Sequence, residues 1–105
     1  MYDLLMKMSG EDCYTLTADN PAKMYVEDRG IEIVYPTGNT TFIPCGLVID
    51  AFNQLKRQGR LTVEDVHEGI TNKRGPITDR LMAVLRKLPG VTFDKYPRAL
   101  YYNEP

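Results

Sequence analysis

The usual zinc ligands are scarce in this chain: one histidine and two cysteines among 105 residues do not make a zinc site. No phosphate-binding glycine loop of the strand-loop-helix kind occurs either, because Gly38 and Gly46 stand without the rest of that pattern. Adjacent carboxylates occur at Glu11-Asp12, Glu27-Asp28 and Glu64-Asp65, where turns or helix starts account for them. Neighbouring side chains of that kind seldom converge on one substrate atom. Catalysis is therefore not expected, and no cofactor or metal is implied. Internal repeats and low-complexity tracts are missing too. Met1 to Met8 carries Asp3 and Lys7 and lacks the apolar run and small-residue cleavage site of a signal peptide. The expectation is a cytoplasmic protein that does not enter a membrane. There Cys13 and Cys45 would be reduced thiols, with a disulfide between them as the open alternative.

A basic excess is also lacking. The isoelectric point near 5.8 is low for a small nucleic-acid-binding domain. The net charge of -1 nevertheless hides a division. Residues 1–45 hold Lys7, Lys23 and Arg29 against Asp3, Glu11, Asp12, Asp19, Glu27, Asp28 and Glu32, a balance of -4. Residues 46–105 hold ten Lys and Arg against seven acids, a balance of +3.

An apolar fraction of 43% with 26% charged residues describes an ordinary globular chain, and 105 residues suffice for one domain with a modest core. Met1, Leu4, Leu5 and Met8 have helical spacing ahead of Gly10. Cys13 to Thr17 alternates as a strand does, and Asp19-Asn20-Pro21 is turn chemistry. Lys23–Glu27 and Ile31–Tyr35 are β-prone runs around Asp28-Arg29-Gly30, where glycine can take a positive φ, so a hairpin is expected. Met24 and Val26 then share a face, as do Ile31, Ile33 and Tyr35, leaving Glu27 and Glu32 to solvent. Pro36-Thr37-Gly38-Asn39 makes a further turn before a third strand, Thr40–Ile43.

Helical periodicity takes over at Pro44. Leu47, Val48, Ala51, Phe52 and Leu55 recur on one face up to Gly59, with Asp50, Asn53, Gln54 and Arg57 opposite. Arg60–Thr62 reads as a short strand, and Thr62-Val63-Glu64-Asp65 as a capped helix start running to about Ile70. His67, beside the inward face of that helix, has no ligand cluster around it and reads as a partly buried packing residue or a surface one. A third helix from Pro76 to Leu88 would bury Ile77, Leu81, Val84, Leu85 and Leu88 and turn Thr78, Asp79, Met82, Ala83 and Arg86 outward, with Arg80 and Lys87 on its flanks. Val91–Phe93 and Ala99–Tyr102 then alternate as two strands around a tip, 94–98. Met82, Tyr101 and Tyr102 could form a homodimer seam or complete the core.

This order, helix, strand, helix, turn, helix and two-stranded hairpin over residues 43–102, resembles the winged helix-turn-helix superfamily. The resemblance implies an α+β fold: one domain, 1–105, with a small antiparallel β-meander as an N-terminal extension (1–43) and a unit of three helices plus wing hairpin (44–102). That architecture serves DNA binding and protein docking alike. For the first it implies a regulatory or accessory protein that grips double-stranded DNA through its turn, third helix and wing. Lys73, Arg74, Arg86, Lys95 and Arg98 would neutralise phosphates, Thr78 and Met82 would lie near base edges, and Tyr96 would lie along the backbone or minor groove. The alternative is a small interaction or inhibitor module of phage or mobile-element type. Its acidic N-terminal half, at Glu27, Asp28 and Glu32, would dock on the basic nucleic-acid-binding surface of a partner protein.

Overall fold

Alternation in the first half and capped helices in the second generate the secondary structure. The computed structural model describes residues 2–14, 21–70, 75–95 and 98–103. In chain order its elements are α1 (Tyr2–Lys7), β1 (Asp12–Tyr14), β2 (Pro21–Glu27), β3 (Gly30–Val34), β4 (Thr40–Pro44), α2 (Cys45–Gln58), β5 (Arg60–Thr62), α3 (Val63–Gly69), α4 (Gly75–Leu85), β6 (Val91–Lys95) and β7 (Arg98–Tyr102). The strands form two antiparallel sheets, one in the order β1-β2-β3-β4 and one in the order β5-β7-β6.

In the first sheet every second side chain points inward. Ala22, Met24, Val26, Ile31, Ile33 and Ile43 are buried, and Tyr35 packs partly against the same core. The expected hairpin is present, but the reason for its glycine differs. Gly30 is not among the glycines with positive φ. It is needed for clearance: a Cβ there would collide with the Ile43 carbonyl oxygen and lie 2.8 Å from the Phe42 ring. The strand ending expected at Thr17 and the turn at Asp19-Asn20 lie outside the described residues.

α2 buries Val48, Ala51, Phe52 and Leu55 and stops at Gly59, whose φ of 75° lets its N–H reach the Leu55 carbonyl. The start of α3 is a capping box. Thr62 Oγ1 accepts from the Asp65 N–H at 3.1 Å, and Asp65 Oδ2 accepts from the Thr62 N–H at 3.0 Å. His67 Nδ1 and Thr78 Oγ1, 3.2 Å apart, share a hydrogen bond that links α3 to α4. Cys45 carries a free thiol at the start of α2, and the side chain of Cys13 lies outside the described set.

α4 overturns the expected architecture. Leu81, Ala83, Val84 and Leu85 are 0% exposed, Met82 and Thr78 are 1%, and Arg80 is 7%. Consecutive helical residues lie about 100° apart, so an apolar run from Leu81 to Leu85 needs cover all round. It receives that cover from α2 and α3 on one side and from β1 and β4 on the other. Among the described residues the fold is α+β, with four helices and two antiparallel sheets, the four-stranded sheet preceding α2 in the chain; it is not a winged helix-turn-helix of three helices and a wing. Leu5, Met24 and Ile33 from residues 1–43 belong to the same core cluster as Leu55, Leu85 and Leu100. Among the described residues, no helix is long and apolar enough to cross a membrane.

Candidate interaction surface

The alternation that sends Met24 and Ile33 inward sends their neighbours out. On the outer face of the first sheet Tyr25, Glu32 and Phe42 stand directly opposite one another across β2, β3 and β4. Directly opposed side chains have Cβ atoms about 5 Å apart, so the three form a continuous row. Tyr25, on the interior strand β2, is 43% exposed and Phe42, on the edge strand β4, is 41% exposed, so two large rings stand open on one face. Glu27 is exposed beside this row, and Glu32 is half-buried within it. The missing side chain of Gly30 makes room for the Phe42 ring to lean toward β3.

What covers the other rings defines the site. Arg60 lies 5.9 Å from the ring centroid of Tyr101, Arg80 4.6 Å from Tyr35, Arg86 4.0 Å from Phe93 and Lys56 4.8 Å from Phe52. Tyr102 meets Phe52 edge-on at 5.8 Å. Tyr25 and Phe42 have neither cation nor ring partner among the described residues. Glu27 and Glu32 form no ion pair there either, whereas Glu11 pairs with Lys87 and Asp12 with Lys23, each at 2.9 Å. Two bare rings and two carboxylates without a cation thus share one face. Aromatic faces and carboxylates both attract a guanidinium or ammonium group, so the surface is suited to a cation from outside the chain.

Of the eight residues expected to hold DNA, the side chains of four, Thr78, Met82, Arg86 and Arg98, are among the described residues. Met82 is a core residue, and Thr78 is buried in its hydrogen bond to His67, so neither is placed to meet a base edge. Arg86 is half-buried over Phe93, and Arg98 lies 3.9 Å from Asp79. Lys73, Arg74 and Tyr96 lie outside the described residues, as does the side chain of Lys95. Of the acidic residues expected to meet a protein, Glu27 and Glu32 are on the sheet face, while Asp28 is exposed in the adjoining turn with Arg29. Charge and motif alone do not point to Tyr25 and Phe42, although the β2 and β4 alternation assigns them to the side opposite Met24 and Ile43. Met82 completes the core instead of a dimer seam, and Tyr101 and Tyr102 are half-buried.

On the second sheet, Arg60 Nε donates to Tyr101 Oη at 3.3 Å. That hydrogen bond, with a favourable charge interaction from the same residue, raises the guanidinium pKa above its ordinary value. Among the described residues, no three His, Cys, Asp or Glu side chains cluster in a way that could hold a metal ion. Comparison of the chain with protein-family models, with curated proteins and with solved structures gives no match.

Proposed function

We propose that this chain is a non-catalytic protein-protein interaction module that docks on a basic surface of a partner protein through the outer face of its first sheet. The supporting observation is the contrast in cover: Tyr25 and Phe42 are exposed and have no cation over them, and Glu27 and Glu32 beside them are unpaired among the described residues. Such a face offers an incoming arginine a ring to lie on and a carboxylate to pair with. Basic surfaces of this chemistry are what nucleic-acid-binding proteins present, so the module would compete with nucleic acid for its partner and act as a regulator or inhibitor.

Capture from the native host, with and without nuclease, compares the full chain with a Glu27→Lys/Glu32→Lys variant. The expected result is a basic protein that survives nuclease treatment and is lost with the charge reversal. Capture that depends on nucleic acid would sink the reading. So would direct binding to duplex DNA with a log-log salt slope of about -4 to -5, the slope of roughly five phosphate contacts.

A further inference from the structure

The two edges of the first sheet are finished differently. At the β1 edge, Lys87, just past α4, donates from Nζ to the Asp12 carbonyl at 2.8 Å and pairs with Glu11. Next to it, Ser9 Oγ accepts from the Val26 N–H at 3.0 Å, occupying a β2 donor beyond the reach of β1. The β4 edge has no such cover. The bonds from Tyr35 N–H to the Asn39 carbonyl and from Cys45 N–H to the Arg29 carbonyl, both 2.9 Å, fix the phase of the β3-β4 ladder. Odd-numbered β4 residues therefore turn their backbone groups toward β3, and Thr40, Phe42 and Pro44 turn theirs outward. Neither Thr40 nor Phe42 has a backbone partner on that side among the described residues, and both residues are exposed. Pro44, which lacks an N–H, ends the row of donors.

We infer that the β4 edge receives an extended basic segment of the partner as a fifth, antiparallel strand. This rests on the reading of the sheet face given above and adds to it the mode of binding. The residue opposite Phe42 exchanges both backbone hydrogen bonds with it and shares its outer face. Strands lie about 4.8 Å apart, so an arginine at that position lies along the Phe42 ring and its guanidinium reaches toward Glu32 on β3. A residue two positions away, opposite Thr40, shares the same face, so the segment reads as basic residues at alternate positions. A second copy of β4 is a poorer occupant, since it brings no cation to Glu27 or Glu32.

The probe is a short, capped peptide alternating arginine and threonine, titrated into the isotope-labelled full chain. The expected result is slowed hydrogen exchange at the Thr40 and Phe42 amides and a binding curve weakened about fivefold for each edge hydrogen bond removed. One such bond is removed in the protein by Thr40→Pro, with Thr40→Val as the control that keeps the N–H. The same loss is made in the peptide by N-methylation at the residues facing the edge, which leaves the fold untouched. Peptide binding that is sensitive to Glu32→Lys but leaves both amides unchanged and ignores N-methylation would overturn strand addition while the sheet-face reading stands. Equal affinity for a peptide alternating glutamate and threonine, or occupation of the edge by a second copy as the chain is concentrated, would also overturn it. No binding by any basic peptide would count against both.

Discussion

In the second sheet Arg60 lies over Tyr101 and Arg86 over Phe93, whereas on the outer face of the first sheet Tyr25 and Phe42 stand beside Glu27 and Glu32 with no cation over them. The two regions hold rings of the same kind at similar positions on β-strands. One region finishes them within the chain, and the other leaves them to solvent. Charge follows the same division, for Lys87 and Lys23 neutralise Glu11 and Asp12 but nothing described reaches Glu27 or Glu32. A fold that covers its other described rings and leaves two bare on an acidic sheet face has the makings of an intermolecular contact there.

The contrast depends first on α4, which fixes the inner side of the first sheet and so decides which side faces out. Met82→Ala should cost about 2–5 kcal/mol in chemical denaturation, as for other buried methionines. Ile49→Ala, on the exposed side of α2, should stay within about 0.5 kcal/mol. Equal small losses at the two positions would free α4 and dissolve the comparison. Gly30→Ala should cost about 1–3 kcal/mol, because the new methyl meets the Ile43 carbonyl and the Phe42 ring. Uncovering a finished ring is a smaller change: Arg86→Ala should lose about 0.5–1 kcal/mol through Phe93. Smallest of all, Tyr25→Ser should leave stability within about 0.5 kcal/mol while weakening association with a basic partner, which thermal melts and binding isotherms measured together will show. A stability loss at Tyr25 as large as that at Arg86 would make its ring structural and erase the difference between the sheets.

Much of the local structure was legible in the chain, and the reasons are local. The alternation of Met24, Val26, Ile31 and Ile33 set the inner face of β2 and β3; Thr62 with Asp65 announced α3; and Gly59 marked the end of α2. Periodicity misleads at α4, because taking Ile77, Leu81, Val84, Leu85 and Leu88 as the one buried face turns Thr78, Met82 and Ala83 outward, whereas all three are buried. The apolar run Leu81–Leu85 carried the contrary signal. The burial of Thr78 and Arg80 does not follow from periodicity, since His67, which hydrogen-bonds Thr78, and Tyr35, whose ring Arg80 lies over, come from other elements. At the candidate surface, Glu27 and Glu32 were legible from charge and alternation together. The bareness of Tyr25 and Phe42 was not, because it depends on where every arginine and lysine ends up.

The central claim is that the Tyr25, Glu32 and Phe42 row meets a basic partner. The most direct test follows the amide and aromatic resonances of the full chain as a short arginine-rich peptide is added at low salt. Saturable shifts confined to Tyr25, Glu27, Glu32, Phe42 and their strand neighbours, reversed by added salt and abolished in Glu27→Lys/Glu32→Lys, are the predicted result. Shifts centred instead on Arg86 and Arg98, appearing only with duplex DNA and absent with the peptide, would contradict it.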